Sequence, residues 1–256
     1  MSGFRILLRK ELLEAWRTRR LPIVAVLFLV VGIVSPLTAK YLPDILKATL
    51  GEQLPIPIPT PVAADALAQL QKNLGQLGAL AAIALAMGSV SGELDRGTAA
   101  LVLAQPATRG AFLAAKLVAI GVVLAVAVAA STAVAWVYTA ILFEPLPIGG
   151  WLAMAALSWL ALLAWASLTF LASAATGSTT AAAGLGFVAL IVVSLASIVP
   201  ALDHLLPSGL SAPAIQLASG GTVADAGAAL TAVLGTTVLI VAAGIGAHLS
   251  FRSREL

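Results

Sequence analysis

Residues 145–202 read PLPIGGWLAMAALSWLALLAWASLTFLASAATGSTTAAAGLGFVALIVVSLASIVPAL, a run between Glu144 and Asp203 without one Asp, Glu, Lys, Arg or His. A soluble domain cannot solvate or cleanly bury 58 consecutive residues of this kind. As a single helix the run would extend about 87 Å at 1.5 Å per residue, against a hydrocarbon core of about 30 Å, so it must cross a bilayer twice.

The rest of the chain agrees. Apolar residues make up 61% of the 256 and charged residues 10%, which is the composition of a polytopic membrane protein. The net charge of +3 comes from Lys and Arg gathered at particular places, so it speaks to orientation and not to nucleic acid. The absence of Cys excludes disulfides, thiolate metal sites and thiol catalysis, and three Met and two His make no metal conduit. The first twenty residues are strongly charged and the first apolar run is of spanning length, so no cleavable signal is expected.

Working outward, uncharged runs place six spans at about 21–41, 73–92, 113–143, 151–173, 181–200 and 226–250. The expected fold class is an all-α polytopic membrane protein forming a single transmembrane domain over 1–256. Arg5, Arg9, Lys10, Arg17, Arg19, Arg20, Arg96, Arg109, Lys116, Arg252 and Arg254 fall on one side, and only Lys40, Lys47 and Lys72 on the other. Eleven against three puts both termini in the cytoplasm of a plasma (inner) membrane protein.

Residues 1–20 place Phe4, Leu7, Leu8, Leu12, Ala15 and Trp16 at three- and four-residue steps, with Arg5, Arg9, Lys10 and Arg17 opposite. That is the pattern of an amphipathic interfacial helix lying on membrane lipids. Pro55, Pro57, Pro59 and Pro61 favour an extended strap outside, after which Thr60 is expected to cap a helix with Pro61 at its first position, running on into the second span. The segment 201–225, with Pro207, Gly209, Pro213, Gly220 and Gly221, reads either as an ordinary outer loop or as a stretch that dips back into the bilayer edge under protein cover. Ala182 with Gly186, and Ala242 with Gly246, offer small surfaces for close helix packing.

The connection between spans 2 and 3 carries the most information. It contains Glu93, Asp95, Arg96, Gly97, Thr98, Leu101, Val102, Leu103, Pro106, Thr108, Arg109 and Lys116. Gly97 ends one helix, Thr98 caps a new one of about two turns, Pro106 stops it and Thr108 caps the third span. The product is a short helix with charged flanks and an apolar knob at Leu101 and Leu103, suited to a groove on a partner.

At this segment the chain resembles the permease subunits of ABC-2-type ATP-binding-cassette transporters. Their acid-x-acid-x-Gly-Thr, short apolar helix, Pro, Arg and Lys correspond here to Glu93, Asp95, Gly97, Thr98, Pro106, Arg109 and Lys116. The resemblance extends to the N-terminal helix with its Lys10-Glu11 pair, and in size and signature the chain is similar to the permeases of nitrous oxide reductase maturation systems. Ala104 and Gln105 stand where the family carries bulkier apolar residues. The resemblance implies two cytoplasmic cassette ATPases docked on the short helices, a second permease copy, export or extrusion of a substrate, and in some systems a periplasmic partner. It also implies that ATP and magnesium are held by the partner, with no cofactor, catalytic residue or metal in this chain.

Two absences point the same way. There is no G-x-x-x-x-G-K-[ST] phosphate loop, so the chain is not itself an ATPase of that type. The interiors of the spans carry no Asp, Glu, Lys or Arg, and His248 lies near the inner boundary, so the chain lacks the buried charges of ion-coupled transport. A membrane-embedded enzyme would gather polar groups at one depth, whereas these sit at the boundaries. The rival function is a non-transporting anchor or assembly subunit, which copurification with an ATPase would distinguish.

Overall fold

The computed structural model describes residues 2–50, 60–95, 97 and 108–252, and every regular element among them is helical. Helix α1 (Ser2–Arg17) precedes α2 (Arg20–Leu50). Then come α3 (Ala63–Asn73), a π-helical turn (Leu74–Gly78), α4 (Ala79–Met87) and the short α5 (Ser91–Asp95). The long helices α6 (Arg109–Leu142) and α7 (Ile148–Thr176) follow, with α8 (Thr179–Ala196) behind them. Two short helices, α9 (Pro200–Asp203) and α10 (Ser211–Ala218), flank a 3-10 turn at Pro207–Leu210, and α11 (Ala226–Arg252) completes the bundle. Six of these units are long and apolar enough to cross a membrane: α2, the run from α3 through α5, α6, α7, α8 and α11.

The charged residues that interrupt the apolar pattern mark where spans end, while capping groups mark where helices start. Thr108 Oγ1 accepts the Ala111 amide at 3.1 Å and opens α6. Gly177, at φ +68°, closes α7, where a left-handed residue frees the chain to turn back. Two boundaries differ from the sequence reading. The helix that contains the first span does not stop near residue 41 but continues to Leu50, through Pro36 and Pro43. Each proline removes only one internal hydrogen bond, and Ser35 Oγ, which donates to Val31 O at 2.6 Å, also accepts Asn73 Nδ2 at 2.8 Å, tying that stretch to α3. The helix after the proline-rich strap begins at Ala63, not at Pro61. Val62 is extended and its amide donates to Asp65 Oδ2 at 2.9 Å, so the carboxylate three residues on supplies the start expected of Thr60.

The core lies between α6 and α7. Helix α2 runs along α6, α11 and α10 lie on α7, and α8 sits in the angle between α4 and α7. Trp159 Nε1 on α7 donates to the Gly121 carbonyl of α6 at 2.8 Å, and Gly78 in the π turn lets Leu162 and Phe28 close over it. Gly186 meets the side chain of Thr169 where any Cβ would collide, so the Ala182 and Gly186 face is an internal seam between α8 and α7. On α11 the buried alanines are Ala232, Ala243 and Ala247, with Leu171 against Gly246, while Ala242 is exposed. The segment 201–225 is packed protein. Pro207, Leu210, Pro213, Ala214 and Ala218 are buried against α3, α7 and α11, and the Leu217 carbonyl presses on Gly150. Pro207, Ser208 and Ser211 of this segment line one cavity together with Ser158 of α7.

Candidate functional site: an ionic cluster joining the first helix to the 2–3 connection

Three elements meet at the end of the bundle that carries both chain termini. The first is α1, whose Phe4, Leu7 and Leu8 pack on the core while Ile6, Leu13 and Trp16 stay exposed. This two-sided arrangement is that of a helix held between protein and lipid headgroups. Its polar edge presents Lys10, Glu11 and Glu14 inward. The helix ends where Thr18 Oγ1 donates to Glu14 O at 2.7 Å and Arg19 adopts φ +61°, a conformation side chains other than glycine rarely take, which turns the chain into α2.

The second element is α5, which carries Glu93. The break at Gly88–Val90 would leave amides unpaired, and α7 supplies the missing partner. Ser173 Oγ accepts from the amides of Val90 and Ser91 at 3.3 and 3.0 Å and donates to Met87 O at 2.8 Å. Ser91 Oγ in turn lies 3.0 Å from Thr179 Oγ1 at the start of α8. These bonds fix α5 and hence the direction of Glu93. Just beyond, Gly97 at φ +68° ends the described chain before the connection, its amide donating to Leu94 O at 3.0 Å.

The third element is the start of α6. Lys116 is buried there, its side chain only 3% exposed. Its ammonium donates to Glu11 Oε1 at 3.0 Å, Glu11 Oε2 at 3.1 Å and Glu93 Oε1 at 2.8 Å, and sits 5.0 Å over the Phe112 ring. Lys10 Nζ lies 3.2 Å from Glu93 Oε1, 3.3 Å from Glu11 Oε1 and 3.7 Å from Glu14 Oε2. Burial alone would lower the Lys10 pKa, but Glu11, then Glu93 and Glu14, outweigh it and hold the ammonium above its ordinary 10.5. One turn before Lys116 in contact, the Phe112 ring stacks on Phe251 at 5.8 Å, and Arg109 Nη1 donates to the Arg252 carbonyl at 3.0 Å. A guanidinium on the last carbonyls of a helix satisfies orphan acceptors and opposes the dipole there. The first turns of α6 are therefore clasped by α1 through Lys116 and by α11 through Arg109.

Carboxylate oxygens of Glu11, Glu14 and Glu93 come within 4.8 Å of one another, a spacing that could hold a cation, but the ammonium groups of Lys10 and Lys116 already fill that electrostatic role. Beside the cluster opens a cavity of about 540 Å³. At the opposite end of the bundle a smaller cavity, about 160 Å³, is bounded by the π turn at Leu74 and Gly75 and by Ser158, Ser194, Ser208 and Ser211. Its polar groups are uncharged, and Ser158 Oγ donates to Gln71 Oε1 at 2.9 Å. π turns recur at functional positions in helices, and this one faces the second cavity.

Residues 5–216 match the family model of ABC-2 family transporter proteins. The chain belongs to the ABC-2 transporter family. It is also 29% identical over 146 residues to the uncharacterized transmembrane protein YxlG of Bacillus subtilis (strain 168), an overlap of 56% of this chain. The chain spans about half the length of that relative, 57%. This ABC-2 protein is thus a multi-pass membrane component of a transporter family.

Of the residues singled out in the ABC-2 sequence, Lys10, Glu11, Glu93 and Lys116 converge in the cluster, through bonds between elements that join positions 23 to 105 apart. Phe4 and Leu8 seat α1, Leu12 is partly buried and Trp16 is exposed. Arg109 points to the C-terminal helix and Asp95 ends α5. The docking helix expected over 98–105, with Thr98, Leu101 and Leu103, lies outside the described residues, as do Arg96 and Pro106. Sequence reasoning missed Glu14, the Ser91–Ser173–Thr179 bonds and the π turn. Glu14 stands four residues after Lys10, the ordinary spacing of a helical ion pair, and that signal was available.

Proposed function

We propose that this ABC-2 chain is the permease subunit of an exporter, driven by a separate cytoplasmic cassette ATPase that binds ATP and magnesium, with both termini on the cytoplasmic side. A second permease copy completes the membrane unit. The observation that carries the reading is the ionic cluster: it joins a surface helix to both limbs of the connection between the second and third spans. A force applied to that connection meets Glu93 on one limb and Lys116 on the other, and reaches α1 through Glu11 and Lys10. Because buried charges at these distances are costly to separate, the three elements move together. The uncharged cavity at the far end supports a pathway lined by hydroxyl and amide groups, without the buried ionisable chain of an ion-coupled carrier.

The test is purification of the tagged chain from its native membranes. A cassette ATPase with a phosphate loop should copurify, and the eluate should hydrolyse ATP. Replacing Leu101 and Leu103 together by Asp should remove the ATPase while leaving membrane insertion intact. Purification of the wild-type chain without any such ATPase would favour a non-transporting anchor, and full retention in the double variant would move the docking site elsewhere.

A further inference from the structure

The cavity of about 540 Å³ beside the ionic cluster has two kinds of wall. Lys10, Glu11, Glu14, Thr18, Arg20, Glu93 and Lys116 form a charged side, and Leu85, Ala119, Ile120 and Val123 an apolar one. Its level is set by neighbouring residues. Arg20 is the first residue of α2, directly before the apolar run of the first span, and α1 exposes Trp16 at 63% just before the turn. Charged wall at headgroup level and apolar wall along the spans are the two halves of an amphiphile's site.

The charge inventory narrows the amphiphile. Three cations and three carboxylates line the space, so its net charge is zero and it does not select for an anion. Lys116 is used by Glu11 and Glu93, and Lys10 bridges the same two carboxylates. What remains, among the described residues, is the Arg20 guanidinium, with no hydrogen bond or ion pair, and the Glu14 carboxylate, whose one ion pair there is with Lys10 at 3.7 Å. A guanidinium and a carboxylate on one cavity wall complement a phosphate and an ammonium on one headgroup.

We propose that this cavity binds one phospholipid with a zwitterionic, primary-amine headgroup of the phosphatidylethanolamine type. Its phosphate pairs with Arg20, its ammonium donates to Glu14, and an acyl chain runs along Leu85, Ile120 and Val123. A choline headgroup carries the same charges but has no N–H to donate to Glu14, and a glycerol headgroup leaves Glu14 facing a net anion. The bound lipid then fills the angle between α1 and the spans, beside the Arg19 turn, so that bilayer composition contributes to how firmly α1 is seated. The inference stands on the permease chain alone and does not depend on an ATPase partner.

The experiment is native mass spectrometry of the purified full chain released from nanodiscs that contain equal amounts of phosphatidylethanolamine, phosphatidylcholine and phosphatidylglycerol, with acyl chains of distinct mass. The wild-type chain should retain phosphatidylethanolamine about tenfold over each of the others, the worth of one charge-assisted hydrogen bond. Arg20→Gln should lower retention of all three lipids. Glu14→Gln should keep the phosphate contact and lose the preference for ethanolamine over choline. Lys72→Gln, a charge change on α3 far from the cavity, should behave as wild type. Arg20 is exposed, so its replacement leaves the fold intact and carries the test even if Glu14→Gln inserts poorly. Equal retention of the three lipids, a preference for phosphatidylglycerol, or an Arg20→Gln profile unchanged from wild type would overturn the proposal.

Discussion

The two ends of this bundle solve the same problem, holding short non-spanning segments against long helices, by different physics. At the end with the termini, α1 and α5 meet α6 through formal charges: the ammonium groups of Lys10 and Lys116, the latter 3% exposed, among three carboxylates. At the other end the segment from Pro200 to Ala218 is held by close backbone approach, Leu217 against Gly150 and Leu205 against Gly235, with the neutral Ser158–Gln71 bond nearby. Charge pairing is rigid but brittle, because losing one partner strands the others. Backbone contact across glycine fails by collision instead, because a Cβ at Gly150 or Gly235 would meet a backbone carbonyl that cannot move aside cheaply. The brittle end is the one next to the connection that is proposed to receive force.

The largest effect should therefore come from Lys116→Met. It leaves Glu11 and Glu93 with only the partly exposed Lys10 between them and should cost about 3–5 kcal/mol, measured as reversible unfolding in mixed micelles. Replacing Lys116, Glu11 and Glu93 together by Met, Leu and Leu should recover much of that loss, because an apolar set of similar volume is not penalised in the same way. A triple variant as unstable as Lys116→Met would mean the cation acts through something other than these carboxylates. Gly150→Val at the other end should cost about 3 kcal/mol, the upper part of the usual overpacking range, because even its Cβ collides with the Leu217 carbonyl, and it should leave protease protection of α1 unchanged. Loss of α1 protection in that variant would show that the two ends are not independent. Ser158→Ala should cost about 0.5–1.5 kcal/mol by the same unfolding assay, the net worth of one hydrogen bond to Gln71.

The smallest effect belongs to Lys10, which is 41% exposed and therefore screened. Lys10→Gln should cost no more than about 1 kcal/mol. Its pH dependence has a definite sign: the folded-state pKa is raised, so the contribution is fully present below the ordinary 10.5 and is lost as pH rises through the higher folded value. The difference in unfolding free energy between wild type and Lys10→Gln should be flat from about pH 7 to 9 and shrink in more alkaline solution. A difference that grew as pH rose would contradict the pairing.

Much of the fold was written in one-dimensional patterns. The uncharged run after Glu144 forces two crossings, Gly177 stops α7, and Thr108 caps α6, all of which are local events. The π turn at 74–78 has no periodic signature, and the extension of α2 through two prolines depends on α3 and α6 lying alongside it. The candidate site was half visible. Lys10, Glu11, Glu93 and Lys116 stood out as residues, but charges at helix ends read as solvated flanks or partner contacts. That they turn inward on one another is a property of how α1 crosses α6, which spacing along the chain does not encode.

The central claim is that the cluster links α1 to the connection that docks an ATPase, and a charge exchange tests it most directly. Tagged wild type, Glu93→Lys, Lys116→Glu and the double exchange would be purified from native membranes at matched levels, and copurifying cassette ATPase measured in each. Each single change puts like charges together in a buried site, so both should lose the ATPase, while the double exchange restores the pair between positions 93 and 116, though not those with Glu11 and Lys10, and should recover part of it. Full ATPase retention in both single variants, or no recovery in a double variant that inserts and unfolds like wild type, would contradict the account.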